Sequence, residues 1–324
     1  MNSLGFYKKQ LQETTNELKQ IDGNTLDRDY LSLKKAFDVS YKYKLFELYD
    51  IDSKELDTYK LELFKTLTNI SGSLSFLAIQ ILAANTIMKK NNFHKKDEYF
   101  NKKCGIAINH LRANKTIVSG TKCENGYLLN GTLTWASGYK IFDTLLIGFH
   151  FDENEYEVMA PFEDQEGFNI GSADDTFVGY GLNTVNIVLD NYFVKEDEIV
   201  SSHKIGNYTK NKSVSKTVHM CLYSLGYCAS LNIKDKELKE FSSKRLEEIK
   251  NDFMNSNSPK YMDHLRVELF DLVQKVITTA MVVKGGSSIL SSSGFQRYYK
   301  ELIMFNSNGL NQALKDMLKS KLVC

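Results

Sequence analysis

A block of short strand-like segments, residues 104–202, lies between two long helical stretches, and this segregation limits the folds open to the chain. Inside the block, apolar runs such as TIVSGTKCENGYLLNGTLTW, DTLLIGFHF, YEVMAP, FNIGSAD and NTVNIVLDNYFV are separated by Gly, Asn and Asp. Short apolar runs bounded by such residues read as strands. Glu124-Asn125-Gly126 and Asn130-Gly131 have the chemistry of tight turns. Strands of this number and spacing make a compact β-barrel or sandwich. Strands kept apart from helices argue for an α+β fold rather than an alternating parallel sheet. No G-x-G-x-x-G follows a strand, so a dinucleotide-binding βαβ unit has no support.

The flanks are helical. Leu33, Phe37, Tyr41, Leu45 and Leu48 recur near helical spacing and predict one helix over 31–49. A second helix is expected from Asp52-Ser53, carrying Leu56, Leu61, Phe64 and Leu67. A third, SGSLSFLAIQILAANTIMKK, starts near Ser71, is apolar nearly all round and should be buried; Asn91-Asn92 ends it. Beyond the strands comes the apolar helix VHMCLYSLGYCASLNI, then the polar segment KDKELKEFSSKRLEEIKNDFMNSNSPK, read as an exposed helix and a linker ending at Pro259. The next helix puts Leu265, Leu269, Leu272, Val276, Ala280 and Val283 on one face and stops at Gly285-Gly286. A last helix is expected over about 295–322. With only two prolines, such long helices meet few breakers. The expected domains are an N-terminal all-helical domain (1–103), a middle β-domain (104–203) and a C-terminal helical domain (204–324).

A net charge of +1 with interleaved signs gives no field for nucleic acid or an anionic membrane. Five cysteines, an odd set without a CxxC pair, argue against a disulfide framework and a zinc site. No apolar run reaches the roughly 18 residues of a membrane span, and MNSLGFYKKQLQETTNELKQ lacks a signal peptide's apolar region. A cytoplasmic, reducing compartment is the expectation.

Several segments resemble the acyl-CoA dehydrogenase superfamily in order and spacing. GYLLNGTLTWASGYKIFDTLLIG (126–148) resembles its middle-domain signature, Gly-Tyr-x-Leu-Asn-Gly-x-Lys-x-Trp-Ile-Thr followed by an Asp before an apolar strand. GLNTVNIVLDNYFVKEDEIVSS is similar to the stretch that closes that domain. CGIAINHLR takes the place of a flavin-facing loop, and KGGSSILSSSGFQRYYKEL resembles the Gly-Gly … Arg-x-x-Arg-Asp segment near the end. SGSLSFLAIQILAA is similar to the front-domain helix that leads toward the active site. The resemblance implies an α+β fold: an N-terminal helical domain, a middle β-barrel domain and a C-terminal four-helix-bundle domain. It implies FAD as cofactor, or FMN if the protein is monooxygenase-like.

By the same resemblance Trp135 lies on the isoalloxazine edge. Ser137, two residues on and expected to point the same way along an extended strand, donates to the flavin N5. A lone tryptophan is more often a core anchor, and here the Asn-Gly-Thr-x-Trp-x-Ser context favours the flavin. Asn109 and His110 fall in the loop that faces flavin or substrate, and Arg112 is placed to pair a phosphate or to lie on the surface. Gly285 and Gly286 match the paired glycines, for which a helix C-cap is also a sufficient reason; Val282 replaces the Gln that precedes them.

The chain departs from the superfamily at the base. Dehydrogenation needs a carboxylate to take the α-proton. The two places where that Glu is kept hold Asn308, before Gly309, and Lys216. Glu301 is the nearest acid, or else corresponds to a structural Asp with Lys300 for its Arg. Three functions stay open: a flavin-dependent oxidoreductase acting on an acyl thioester or related small substrate, a reduced-flavin-dependent monooxygenase, and a non-catalytic partner subunit. Implied partners are a small molecule such as acyl-CoA or a carrier-bound acyl group, and an electron-transfer partner or flavin reductase. The apolar stripes on 216–231 and 261–283 call for a homodimer or homotetramer.

Overall fold

The computed structural model describes residues 3–112, 117–210, 215–307 and 312–323. The chain opens with α1 (Leu4–Leu18), α2 (Gly23–Arg28), α3 (Tyr30–Lys42), α4 (Ser53–Ile70), α5 (Gly72–Lys90) and the short α6 (Lys96–Tyr99). Eight strands follow: β1 (Cys104–Ala107), β2 (Val118–Cys123), β3 (Gly126–Ala136), β4 (Thr144–Phe151), β5 (Asn154–Pro161), β6 (Phe168–Ala173), β7 (Val185–Lys195) and β8 (Ile199–Lys204). The rest is helical: α7 (Asn207–Lys210), α8 (Thr217–Leu231), α9 (Lys236–Asn255), α10 (Pro259–Lys284), α11 (Gly294–Ser307) and α12 (Gln312–Val323). Two compact units divide these elements, one made of Met1–Phe76, Phe177–Gly179 and Ser213–Cys324, the other of Leu77–Thr176 and Tyr180–Lys212. Among the described residues no helix is long and apolar enough to cross a membrane.

In the helical unit the starts are set by side-chain caps, as expected at Asp52, whose carboxylate accepts from the Lys54 amide at 2.8 Å. Asp235 caps α9 in the same way, accepting from Leu238 at 2.8 Å. Ser258 caps α10, with Pro259 in its first turn. The helix expected over 31–49 stops at Lys42 instead. The Tyr43 amide turns back to the Val39 and Tyr41 carbonyls, and Lys44 takes a left-handed φ of 59°. Leu45 and Leu48 still reach the core, from the turn rather than from a helix.

Within the same unit, α8 is buried nearly all round and packs among α4, α9, α10 and α11. Gly226 permits this approach, since a Cβ there would lie 2.7 Å from a Val273 methyl and 2.9 Å from one of Leu246. The polar segment expected to be exposed is one-sided: α9 buries Ser242, Leu246, Ile249 and Phe253, and the linker shrinks to residues 256–258. On α10, Leu265, Leu269, Val276 and Ala280 are buried as expected, but Val283 is exposed and Leu272 half-buried. The single last helix expected over 295–322 is two, α11 and α12.

The second unit is built on one sheet with strand order β6-β7-β3-β2-β4-β5-β8, β1 pairing in parallel with β4. The β2–β3 turn falls at Glu124-Asn125 as expected, with Asn125 at φ 61°. Asn130-Gly131, expected to be a turn, instead lies inside β3 at a register shift against β7. The Asn130 carboxamide accepts from the Asn191 amide at 2.9 Å, and Gly131, at φ 141°, leaves no room for a Cβ beside the Ile117 carbonyl. The edge strand β6 is blunted: the Asp164 carboxylate accepts the Ile170 amide at 2.8 Å, and the Gln165 carbonyl the Phe168 amide at 2.9 Å. The later part of α5 covers the sheet through Ala84 and Met88, which join Phe93, Tyr99, Ile108, Leu111, Leu146, Met159 and Val200 in one apolar cluster.

Phe253 is fully buried, 5.6 Å from the His219 ring and 6.3 Å from Tyr223. Phe253→Ala is expected to cost about 3–5 kcal/mol in urea unfolding. Phe241→Ala, on the exposed face of the same helix, should stay within about 0.5 kcal/mol. Equal losses would contradict the orientation of α9.

Candidate functional site

The end of β3 is irregular in a specific way. Leu133 pairs with Ile187 and Ala136 with Val185, so Thr134 and Trp135 together oppose Asn186. On the other side of β7, Ile170 pairs with Ile187 and Ala173 with Val185, so a second bulge opposes the same Asn186. Trp135 takes a left-handed φ of 61° and is 62% exposed. Such a conformation is strained for a bulky side chain, and bulges of this kind gather at working sites.

This bulge breaks the alternation expected to carry Trp135 and Ser137 together. Ala136 and Ser137 are both buried, and the Ser137 hydroxyl lies 2.8 Å from that of Thr184. One hydroxyl donates to the other, leaving the pair a single hydrogen to offer. The Gly138 amide donates to the Leu182 carbonyl at 2.6 Å and fixes the turn behind it.

His110 and Asn109 sit on the single-turn 3-10 helix after β1. Asn109 is exposed. His110 uses Nε2 on the Gly148 carbonyl at 2.8 Å, which makes that nitrogen the protonated one. Burial pushes its pKa down to about 4, the neighbouring His150 adding to the effect, so the ring is neutral at ordinary pH. The side chain of Arg112 lies outside the described residues.

Two acids in the same unit escaped the sequence reading. Glu155 and Glu157 occupy alternate, inward positions of β5 and are buried. Glu157 accepts from the Ser201 and Tyr208 hydroxyls, and Glu155 from the Gly206 and Tyr208 amides at 3.1 and 3.2 Å. Together they fasten α7 to the sheet. Burial raises the Glu157 pKa. The available signal was the Glu-x-Glu alternation in a strand whose same face continues into apolar Met159.

The remaining candidates lie in the helical unit. Gly285 and Gly286 end α10; both are exposed, Gly285 has φ 79°, and a Cβ on either would meet nothing within 4 Å. Around them Val282, Val283, Ile289 and Leu290 are also exposed. Lys216 precedes α8 and is held: its ammonium pairs with Asp57 at 3.0 Å and donates to the Met254 carbonyl at 2.6 Å. Glu301 is fully buried; its Oε1 accepts from the Gly72 amide at 2.7 Å and from Arg297 at 3.3 Å. Asn308 lies outside the described residues. Among the described residues no group of three or more His, Cys, Asp or Glu is placed to hold a metal ion.

No protein-family model and no curated protein matches this sequence. Solved structures do. Butyryl-CoA dehydrogenase from Megasphaera elsdenii superposes with a TM-score of 0.76 at 11% identity, covering 100% of both chains. Nitrososynthase from Micromonospora carbonacea var. africana gives 0.77 at 12% identity, over 99% of this chain and 97% of that one. KijD3, solved with FMN and a dTDP-linked amino sugar, gives 0.76 at 12% identity, over 97% and 92%. The fold is that of the acyl-CoA dehydrogenases. At this identity the acyl-CoA dehydrogenase fold is shared without implying a shared reaction.

One turn beyond Lys216, His219 is buried, with Nε2 on the Met262 carbonyl at 2.8 Å and no partner for Nδ1. Burial, with Arg266 nearby, pushes its pKa down to about 4 from an ordinary 6.5. The unfolded chain therefore binds the proton more tightly. The His219 contribution to stability is complete above pH 6.5 and is lost as the pH falls through 4, by roughly 3 kcal/mol at most. The difference in unfolding free energy between wild type and His219→Gln should narrow across that window; a constant difference would contradict the buried neutral imidazole.

Proposed function

We propose that the protein is a flavin-binding oxidoreductase of the acyl-CoA dehydrogenase fold that acts on a small molecule. Trp135 carries the proposal: an indole both strained in its backbone and held out of the core costs stability twice. A planar aromatic ligand laid against it would recover apolar burial and give the strain a purpose. The residues fit a flavin in part. Trp135 is accessible, while the Ser137 hydroxyl is turned to Thr184 and fixes the bulge rather than standing open. Asn109 is exposed beside a neutral His110, and neither brings a charge to the ring. When bound, FAD or FMN supplies the redox chemistry, and the chain supplies position and environment.

Lys216 and Glu301 favour the monooxygenase reading over α,β-dehydrogenation. A lysine locked to Asp57 is a cation, not a base, and Glu301 is engaged with an amide and a guanidinium at zero exposure. Neither is free to remove an α-proton. Solved structures of this fold include both a butyryl-CoA dehydrogenase and a nitrososynthase. On the monooxygenase reading a separate reductase delivers the electrons.

Trp135 is the only tryptophan, so its fluorescence reports directly on the site. Added FAD or FMN should quench it, and Trp135→Ala should weaken flavin binding by roughly 1–3 kcal/mol. The flavin-loaded protein should keep its colour under anaerobic butyryl-CoA and consume oxygen with NADH and a reductase. Binding without quenching would remove Trp135 from the site, bleaching by the thioester would restore the dehydrogenase reading, and a protein that takes up no flavin would be the non-catalytic partner subunit.

We also propose a homodimer or dimer of dimers. Val282, Val283, Ile289 and Leu290 form an exposed apolar group around two bare glycines, the kind of surface a second subunit covers. Light scattering at micromolar concentration should give a dimer or tetramer; a monodisperse monomer would argue against it.

A further inference from the structure

Glu301 and Arg297, one turn apart on α11, meet the buried start of α5. Arg297 donates to the Asn69 and Ile70 carbonyls at 3.2 and 3.0 Å and to Glu301 Oε1, which also takes the Gly72 amide. Asp27, from α2, lies close by; its Oδ1 accepts the Ser73 hydroxyl at 3.1 Å and the Gly179 amide at 2.7 Å. Two glycines make room for the pair. A Cβ on Gly72 would stand 2.6 Å from the Glu301 carboxyl carbon, and one on Gly23 would stand 2.9 Å from the Arg297 guanidinium.

The charges in this pocket do not balance if both acids are ionised. Two carboxylates face one guanidinium; Cys228 on α8 and Tyr298 on α11, which also feel this group, stay neutral because burial raises both, and the further cation Lys65, on α4, acts on Cys228 and is not among the charges that shift Glu301. Glu301 Oε2 has no partner although the residue is wholly buried. A bare carboxylate oxygen in such a place is costly, whereas a proton on it removes the net charge and the repulsion from Asp27.

We propose that the folded protein takes up a proton on Glu301 as the pH falls below neutral, and that this proton is the catch of a latch holding α2, the start of α5 and Gly179 together. The inference does not depend on the flavin reading. Burial pushes the Glu301 pKa up to about 7 from an ordinary 4.5, the Asp27 charge adding to it and Arg297 opposing it. The folded state therefore binds the proton more tightly than the unfolded chain. The resulting stabilisation is full below pH 4.5, is lost as the pH rises through 7, and changes no further above that.

The test compares full-length wild type with Glu301→Gln, whose amide mimics the protonated acid, by urea unfolding from pH 5 to 9. The wild type should lose stability relative to the variant between pH 5 and 7, and the two curves should run parallel above. Infrared difference spectra of the folded wild type should show a protonated buried carboxyl that disappears as the pH is raised through about 7. Glu157 is a second buried acid with a raised pKa. Asp27→Asn therefore provides the assignment and stands alone if Glu301→Gln does not fold: it removes the neighbouring charge and must shift only the Glu301 transition, to lower pH. Parallel curves throughout, or a carboxyl transition that Asp27→Asn leaves in place, would overturn the proposal.

Discussion

The amide of Gly72 donates to a carboxylate 229 residues further along the chain, and the placement of α5 depends on that join. A helix leaves its first amides without internal partners. Here the helix begins where water cannot serve them: Thr68, Ser71, Ser73 and Ser75 are all at zero exposure. The donors are met by Glu301, by the Ser71 hydroxyl on the Ser73 amide, and by Asp27 on the Ser73 hydroxyl. The rest of α5 is apolar nearly all round and has no polar stripe to fix its depth. The polar collar at its start supplies that register.

A different economy operates at Trp135. A left-handed backbone costs about 1–3 kcal/mol at a bulky residue, and it persists only where the surroundings over-determine it. The surroundings do so. β3 and β7 pair on both sides of the bulge, the Ser137–Thr184 contact closes it from within, and the Gly138 amide holds the chain that leaves it. A core anchor would need none of this, since an indole placed inward lowers the free energy without help. That the sheet spends structure to hold the ring outward is the physical reason for reading it as a platform.

Much of this architecture was legible in the sequence, and the exceptions have identifiable causes. Asp52 and Asn91-Asn92 bound α4 and α5 because caps and breakers act locally. The stop at Gly285 was visible for the same reason. The end of α3 was not, because Lys44 adopts φ 59° without the glycine that would announce it. Asn130-Gly131 has turn chemistry but serves a bulge, since only its cross-strand partner, Asn191, decides between the two. The same limit hid the geometry at Trp135 and Ser137: alternation holds for a regular strand, and irregularity is a property of the pair of strands. The burial of the acids Asp27, Glu155, Glu157 and Glu301 is not legible locally, because their partners come from distant elements.

The lysine at 216 carries the chemical argument furthest. It stands just before α8, a helix with almost no exposed face, and α8 has no side-chain cap of its own. The ammonium bridges α4, through Asp57, and the end of α9, through the Met254 carbonyl. Both partners are acceptors, so the environment is built for a cation with several protons to give. A glutamate in that place would face an acid and a carbonyl oxygen with no donor from either, and would be driven toward its protonated form or out of the pocket. Exchanging one residue therefore would not supply a base there; Asp57 and the path of the chain at Met254 would have to change with it. The surroundings of Lys216 are adapted to positive charge as a set, of which the lysine is one member.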